Sequence, residues 1–370
     1  MKKTLIALAL AAAGLSAAHA QTVVKIGHAG PLTGPIAHIG KDGENGVRLA
    51  IEDANAKGIT IGGQKVKFEL VSEDDQADPR TATTVAQRLT DAGVKGVVGH
   101  VTSGASIPAS RIYEQAGVPV ITPSSTNPKL TQQGYKVTFR VIANDLQQGA
   151  AMAKYANKLG AKKVAIIDDR TAYGQGLADA FAESLKKEGV QVVGREFTND
   201  KATDFTAILT KIKAKQPDAV FFGGMDAQAA PMLRQMKQLG IGAKFLGGDG
   251  ACTGEMIKLA GDAMSGDAYC TQAGIPMDKM PGGAQFNKRF KEVYKGDVQL
   301  YAPYSYDAAM ALIEAMKAAG SAEPAKYLPA LQKLDVSGVT GKIAFDKNGD
   351  IRDGGVTLYR FQGGKWEALN

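Results

Sequence analysis

The chain has 370 residues, 44% of them hydrophobic and 22% charged, with a formal net charge of +7. That length suffices for two domains of ordinary size. Its lysines and arginines are scattered among acids rather than clustered, so the surface reads as solvated and a nucleic-acid footprint is excluded.

At the N-terminus, Met1-Lys-Lys-Thr leads into an apolar run over 5–15 and then Ser16-Ala-Ala-His-Ala20. A positive start, a short apolar stretch and an Ala18-His19-Ala20 cleavage site describe a secretory signal peptide over 1–20. About 11 apolar residues are too few for a bilayer that needs roughly 20. No cysteine stands near the cleavage site, so a lipid anchor is not expected. From Gln21 the chain is expected to be a soluble exported protein, its basic excess lowered by two with the loss of Lys2 and Lys3. No later segment is long and apolar enough to span a membrane.

A strand is expected over 23–27. A long rim loop follows through Gly27-His-Ala-Gly30-Pro-Leu-Thr-Gly34 and ends over 36–40. A helix over 43–56 places Val47, Ile51 and Ala54 on one face. Next come a strand over 66–71 and a helix over 81–92, with Ala82, Val85, Ala86 and Leu89 at helical spacing. A strand over 94–98, a helix over 106–115 and a strand over 118–121 complete the first array. The second array reads as helix 147–159, strand 163–167, helix 173–187 and strand 190–193. Phe205, Ile208, Leu209 and Ile212 mark its next helix, before strand 219–222, helix 228–239 and strand 244–246.

Strands separated by helices of this length imply right-handed βαβ units and parallel sheets. The expected fold class is therefore α/β: two doubly wound parallel-sheet lobes, joined near 141–144. The tail carries helices over 285–294, 306–318 and 326–333 and a strand over 341–345. A hairpin turn signal, Asp346-Lys-Asn-Gly349, precedes a last strand over 356–361. These strands are too few for a third domain, so the tail is expected to return and complete the earlier lobes. The boundaries become 21–143 with 274–354 for the first lobe, and 144–273 with 355–370 for the second. Repeated crossings make a multi-strand hinge, which suits closure over a ligand.

Catalysis finds little support. The histidines beyond the signal peptide are His28, His38 and His100, and no pair has zinc-motif spacing. There is no G-x-S-x-G elbow and no Walker A sequence. His100 lies near Ser103, but no third group orients it as a base, and it reads as satisfying local backbone at a strand end. The glycines after the first strand lack G-x-G-x-x-G spacing, and Pro31 removes a donor that a phosphate cradle would use. That rim loop either lays Ile39 over a ligand's apolar part or is purely structural.

A seat for a small anion is the stronger signal. Gly99-His-Val-Thr-Ser-Gly-Ala-Ser-Ile-Pro108 and Ile121-Thr-Pro-Ser-Ser-Thr-Asn-Pro128 each follow a short apolar strand and supply hydroxyls where a helix would begin. The first N–H groups of a helix lack internal partners, and its N-terminus carries roughly half a positive charge. Two such turns on neighbouring strands would hold a carboxylate. Ser103 and Thr126 can donate hydroxyl and backbone N–H, Ser125 lies between, and the Ser124 carbonyl can accept from an ammonium. Taken singly, each turn is equally well read as an ordinary helix cap.

The second lobe offers Tyr173 and Asp249, each just after a strand, where ligands of open α/β sheets bind. Tyr173 would supply an apolar ring with a polar tip, and Asp249 would pair with an ammonium. The bland alternative for Asp249-Gly250 is a tight turn.

From about 23 to 361 the chain resembles the periplasmic leucine/isoleucine/valine-binding proteins of ABC importers, with the type I periplasmic-binding fold. The resemblance rests on Asp74-Asp-Gln-Ala-Asp-Pro79, Gly99-His-Val-Thr-Ser103, Pro108-Ala-Ser-Arg-Ile-Tyr113, Ile121-Thr-Pro-Ser-Ser-Thr126, Tyr173-Gly-Gln-Gly-Leu177, Phe222-Gly-Gly224 and Gly247-Gly-Asp-Gly250. It implies that Ser103 and Thr126 hold an α-carboxylate while the Ser124 carbonyl takes the ammonium. Tyr173 and Asp249 would close from the second lobe. Asp249 stands where the best-known members carry Glu, one methylene longer, so its contact with the ammonium becomes direct or water-mediated. Ile39 and Met225 stand where leucine-type members carry Tyr, and Tyr301 is expected to line the same pocket. Aliphatic, flexible walls suit leucine, isoleucine or valine and would admit a larger side chain.

The implied protein is a periplasmic, monomeric amino-acid receptor and not an enzyme. It would need no cofactor or metal and would deliver its ligand to a membrane permease with ATPase subunits. A receptor of the same fold for an aromatic or other amino acid, an amide, urea or an aromatic acid is the alternative. Those relatives' disulfide after the second strand is missing, since Ala77 and Thr102 occupy its positions.

Cys252 and Cys270 are the only cysteines, and an oxidising compartment favours pairing them. Their spacing suits a helix lying between two strand edges. Thiol titration of the denatured, unreduced protein is expected to find no free thiol; two reactive thiols would refute the bridge.

Overall fold

The computed structural model describes residues 22–369, so the signal peptide expected over 1–20 lies outside them. The first array runs β1 (Thr22–Gly30), α1 (Ala37–Ala56), β2 (Thr60–Ile61), β3 (Gln64–Asp74), α2 (Pro79–Asp91), β4 (Gly96–Gly99), α3 (Ser103–Ala116), β5 (Val120–Thr122), α4 (Lys129–Gln132) and β6 (Thr138–Arg140). These strands form one sheet in the order β2-β3-β1-β4-β5-β6, parallel except for the β2–β3 hairpin. The second array runs α5 (Asp145–Lys158), β7 (Lys163–Asp168), α6 (Ala172–Lys187), β8 (Gln191–Phe197), α7 (Thr206–Lys213), β9 (Ala219–Gly223), α8 (Asp226–Gln238), β10 (Lys244–Gly247), α9 (Gly254–Ala260) and β11 (Ala268–Ala273).

The tail adds α10 (Gly283–Tyr294), α11 (Ala302–Ala319), α12 (Pro324–Gln332), β12 (Asp335–Ser337), β13 (Lys342–Ala344), β14 (Val356–Gln362) and β15 (Lys365–Ala368). The second sheet is β15-β14-β11-β10-β9-β7-β8, in which β14 and β15 are the antiparallel additions. The fold is α/β with two lobes of mainly parallel sheet. The main core of the first lobe packs Ile26, Phe68 and Val98 of its sheet with Ala50, Leu312, Met316 and Tyr327 from the helices. In the second lobe, Ile167, Phe222 and Phe245 meet Leu209, Met232 and Met256 on one side of the sheet. Ile166, Phe221 and Leu246 meet Met152, Leu177 and Phe181 on the other.

Local sequence explains the starts of α2, α5, α6 and α9, each capped by a side chain. Asp78 caps α2, accepting from the N–H groups of Arg80 (3.0 Å) and Thr81 (2.8 Å), and Pro79 takes the first helical position, where its missing donor costs nothing. One expectation fails at α1. Residues 36–40 are not a rim loop: the helix begins at Ala37, six residues before the expected start, and Ile39 lies in its first turn. The glycines that weakened the helical pattern there serve close approach instead. A Cβ on Gly40 would stand 2.0 Å from the Pro31 carbonyl, and one on Gly46 2.1 Å from that of Ala302.

Other elements depart from expectation as well. Thr138–Arg140, just before the expected joint and not anticipated as an element, is an edge strand of the first sheet. The Asp346–Gly349 turn does form, with Gly349 N–H donating to the Asp346 carbonyl at 3.1 Å and a bridge from Phe345 to Ile351. The strands around it nonetheless separate, β13 pairing with β12 while β14 joins the second sheet beside β11. The chain thus passes between the sheets after β6, after β11 and before β14. Cys252 and Cys270 are disulfide-bonded, with Cα atoms 5.5 Å apart.

Arg140, fully buried at the end of β6, braces the adjoining turn. Its guanidinium donates to the carbonyls of Ser125 (3.1 Å) and Asn127 (2.9 Å), to the Thr131 hydroxyl (2.9 Å) and to Asp350 (2.9 Å through Nε). Arg140→Met removes all of these donors at once and leaves buried acceptors unpaired. Urea unfolding is expected to report a loss of about 3–5 kcal/mol; a loss below about 1 kcal/mol would show that the turn holds without it.

Candidate functional site

Two turns of the first lobe meet at the ends of β4 and β5. Thr102 is the N-cap residue of α3, so Ser103 and Gly104 begin the helix with the unpaired N–H groups of any helix start. The Ser103 hydroxyl accepts from the Asn127 N–H at 3.2 Å and so joins the turns. Behind them lies a web of hydroxyls. Thr122 and Ser124 donate to the carbonyls of His100 and Val101, both at 2.9 Å, and Ser125 sits 2.5 Å from Ser106.

The Ser125 hydroxyl therefore faces the lobe interior and supports the turn from behind. Thr126 is held from three sides. Arg140 grips the carbonyls before and after it, and its own carbonyl accepts from the Asp145 N–H at 2.9 Å. Its hydroxyl is buried and has no hydrogen-bond partner. His100 is corrected too: its side chain bonds Asp75 (2.7 Å) and the Tyr113 hydroxyl (3.0 Å) rather than local backbone, so it is a buried structural group.

On the second lobe, Asp249 follows β10 and Tyr173 lies in the first turn of α6. Tyr173 donates its hydroxyl to Asp249 Oδ1 at 2.8 Å and accepts from the Gly250 N–H at 2.9 Å. Gln148, on α5, donates to the same oxygen at 2.9 Å while accepting from the Thr271 hydroxyl at 2.8 Å. From the first lobe, Tyr301 donates to Asp249 Oδ2. Burial pushes the Asp249 carboxyl up, against the pull of its bonds to Tyr301, Gln148 and Tyr173. Burial likewise raises both phenols well above their ordinary value, so they remain donors.

Asp145 was not anticipated. It opens α5, is fully buried, and neither carboxyl oxygen has a hydrogen-bond partner. Burial, with the nearby charge of Asp249, pushes it up to about 8, while Thr126 and Arg140 act in the opposite direction. Its only sequence signal is a place beside Asn144 at a helix start, where an acid is usually read as favouring the helix N-terminus.

Ile39, Ser103, Ser124, Tyr173, Met225, Asp249 and Tyr301 converge on one space between the lobes, together with Val101 and Thr102. Ser125 and Thr126 do not line it. The space measures about 10 Å³, on the order of a single water, so admitting anything larger requires the lobes or Tyr301 to move. A larger groove, about 730 Å³, lies elsewhere, along α5 and β14, and contains none of these residues. Among the described residues, no group of three or more His, Cys, Asp or Glu is placed to hold a metal ion.

Residues 23–365 match the family described as periplasmic binding protein. The chain is 38% identical over 371 residues to an amino acid binding protein of Pseudomonas aeruginosa, covering 100% of this chain and 98% of that one. It is 36% identical to Leu/Ile/Val-binding protein homolog 1 of Brucella abortus, over 98% and 97% of the two chains. The structure superposes on the leucine binding protein LivK of Thermotoga maritima with a TM-score of 0.86 and 32% identity, covering 94% and 98% of the chains. With LivJ of Streptococcus pneumoniae in complex with isoleucine, the TM-score is 0.84 at 28% identity, covering 94% and 99%.

If separation of the lobes exposes Asp145, closure is expected to depend on pH. An Asp exposed by lobe separation returns towards its ordinary 3.8, whereas in the closed arrangement it stands at about 8. Between these values the closed form holds a proton that the open form releases, so raising the pH favours opening. One such proton contributes up to about 1.4 kcal/mol per pH unit. Small-angle scattering of the ligand-free protein is expected to show expansion from pH 5 to pH 8 and a shallower response in Asp145→Asn. An unchanged slope in that variant would remove Asp145 from the account.

Proposed function

The chain belongs to the periplasmic binding protein family, and we propose that it is the solute-binding component of an ABC importer, capturing an α-amino acid between its lobes. Leucine, isoleucine and valine are the favoured ligands, given the apolar walls of Ile39 and Met225 and the ligands named for the relatives. The lobes are taken as 21–143 with 274–354 and 144–273 with 355–370.

One observation carries this reading: the helix-start N–H groups and hydroxyl at Ser103 share one enclosed space with the buried carboxyl of Asp249. An α-amino acid is the small molecule whose two charged groups satisfy both sides at once. Ser103 takes its carboxylate, with Thr126 reached from the adjoining turn once the lobes part; the Ser124 carbonyl and Asp249 take its ammonium. Tyr173 and Tyr301 complete the enclosure, and Ser125 holds the turn. The ammonium would displace the Tyr301 hydroxyl from Asp249 and supply the positive charge that the buried carboxyls lack.

Burying a leucine-sized side chain contributes roughly 1.5–3 kcal/mol. Charge-assisted hydrogen bonds add about 1.5–3 kcal/mol each, so the headgroup supplies most of the affinity. The closed form then docks on a permease whose ATPase subunits supply the energy. The chain acts as a monomer in the periplasm and catalyses no reaction.

Calorimetry against a panel of amino acids and their des-amino analogues tests this. Leucine, isoleucine or valine is expected to bind, and heat from none of the amino acids would remove the proposal. Asp249→Ala is expected to weaken amino-acid binding by about 2–5 kcal/mol, the usual loss for a buried charged partner, and to affect the des-amino acid far less. Equal losses would reduce Asp249 to a turn residue.

A further inference from the structure

His38 and Asp226 face each other across the cleft. His38 lies in the first turn of α1, in the first lobe, and its Nε2 stands 2.8 Å from Asp226 Oδ2 at the start of α8, in the second. The Asp226 side chain is fully buried, and that of His38 is 20% exposed. The same Asp226 oxygen accepts from the Thr253 hydroxyl at 2.5 Å, and the other oxygen has no partner. Burial alone would lower the His38 pKa. The hydrogen bond and charge of Asp226, with Glu255 and Asp42 beyond it, raise it instead, which favours an imidazolium facing a carboxylate.

The position of this pair matters more than its strength. His38 directly precedes Ile39, and Met225 directly precedes Asp226. Both neighbours line the space between the lobes. The length of the His38–Asp226 bond therefore sets how far apart the two apolar walls stand. Other bonds between the lobes, among them Tyr301 to Asp249, Asn127 to the Ala172 carbonyl and the Asp145 N–H to the Thr126 carbonyl, lie at the polar end.

We propose that His38 and Asp226 form a latch that determines side-chain specificity, limiting the ligand to side chains short enough for the latch to shut. This rests on the amino-acid reading of the site. A bulky side chain props Ile39 away from Met225 and stretches the bond, leaving Asp226 buried with its charge unpaired. Losing the cation partner of a buried carboxylate is strongly unfavourable, and discrimination comes from that loss. Removing the latch should therefore penalise the fitting ligand and spare the oversized one.

The test is calorimetry of wild type, His38→Ala, His38→Gln, Asp226→Asn and the His38→Ala/Asp226→Asn double variant with valine, leucine and phenylalanine. In His38→Ala, valine and leucine are expected to bind about tenfold more weakly, with phenylalanine little changed, so the preference for leucine falls about tenfold. His38→Gln, which keeps a donor, is expected to recover part of it, and the double variant to lose little beyond the larger single loss. Equal losses for all three ligands, or additive losses in the double variant, would overturn the latch. If wild type binds no amino acid, the functional reading fails on its own. The latch is then judged by the distance between spin labels at Lys41→Cys and Lys258→Cys: opening in His38→Ala supports it, and an unchanged distance refutes it.

Discussion

Asp249 is bonded by three neutral donors, Tyr173, Gln148 and Tyr301, and among the described residues no basic side chain bonds it. A carboxyl in that setting is held by geometry without being neutralised, because hydroxyls and amides offset only part of what ionisation loses on leaving water. Asp145, also buried and with its carboxyl pushed up by burial and by the charge of Asp249, adds a second acid to the same interior. Most of the inter-lobe architecture can be understood from this deficit. Tyr173 and Gln148 are fixed by the second lobe, while Tyr301 arrives from the first, so one carboxyl reads the relative position of both.

Helix α1 organises the opposite wall. Ile39 and His38 occupy its first turn, and Asp42 follows within one further turn. The Asp42 carboxylate accepts from the N–H groups of Gln299, Leu300, Tyr301 and Ala302, at 2.7–3.0 Å, which caps the start of α11 with an anion and fixes Tyr301 in register with Ile39. A tail segment some 260 positions downstream thereby belongs to the same rigid unit as the first helix. The tail's shortage of strands implied such a return; Asp42 is a contact that holds it.

Much of this was legible from the sequence. Apolar runs alternating with amphipathic helices identified the longer strands and helices of the two arrays, because each buries one face or both against a neighbour, while β2, α4, β6, α9 and β11 went unread. Ser103, Ser124, Tyr173 and Asp249 were identifiable because each stands just beyond a parallel strand. The start of α1 was hidden, since Gly40 looks like a helix breaker until the Pro31 backbone packed on it is known. Gln148 and Asp145 were hidden for a different reason: both read as ordinary residues of a helix start, and only the packing of α5 against β11 and the crossing gives them partners or denies them. The turn at Asp346–Gly349 was recognised, but local chemistry cannot say that the strands beside it diverge into separate sheets.

The three passages of the chain between the sheets also constrain how the lobes can move. A single tether would let two bodies swivel, slide and twist independently. Three roughly side-by-side tethers resist torsion and shear, leaving a flexing mode about one axis as the soft direction. Events at the buried centre are then converted into one angle, and that angle is displayed at the far rims of both bodies without either sheet being deformed. A docking partner that touches only those rims can tell a loaded molecule from an empty one by shape alone.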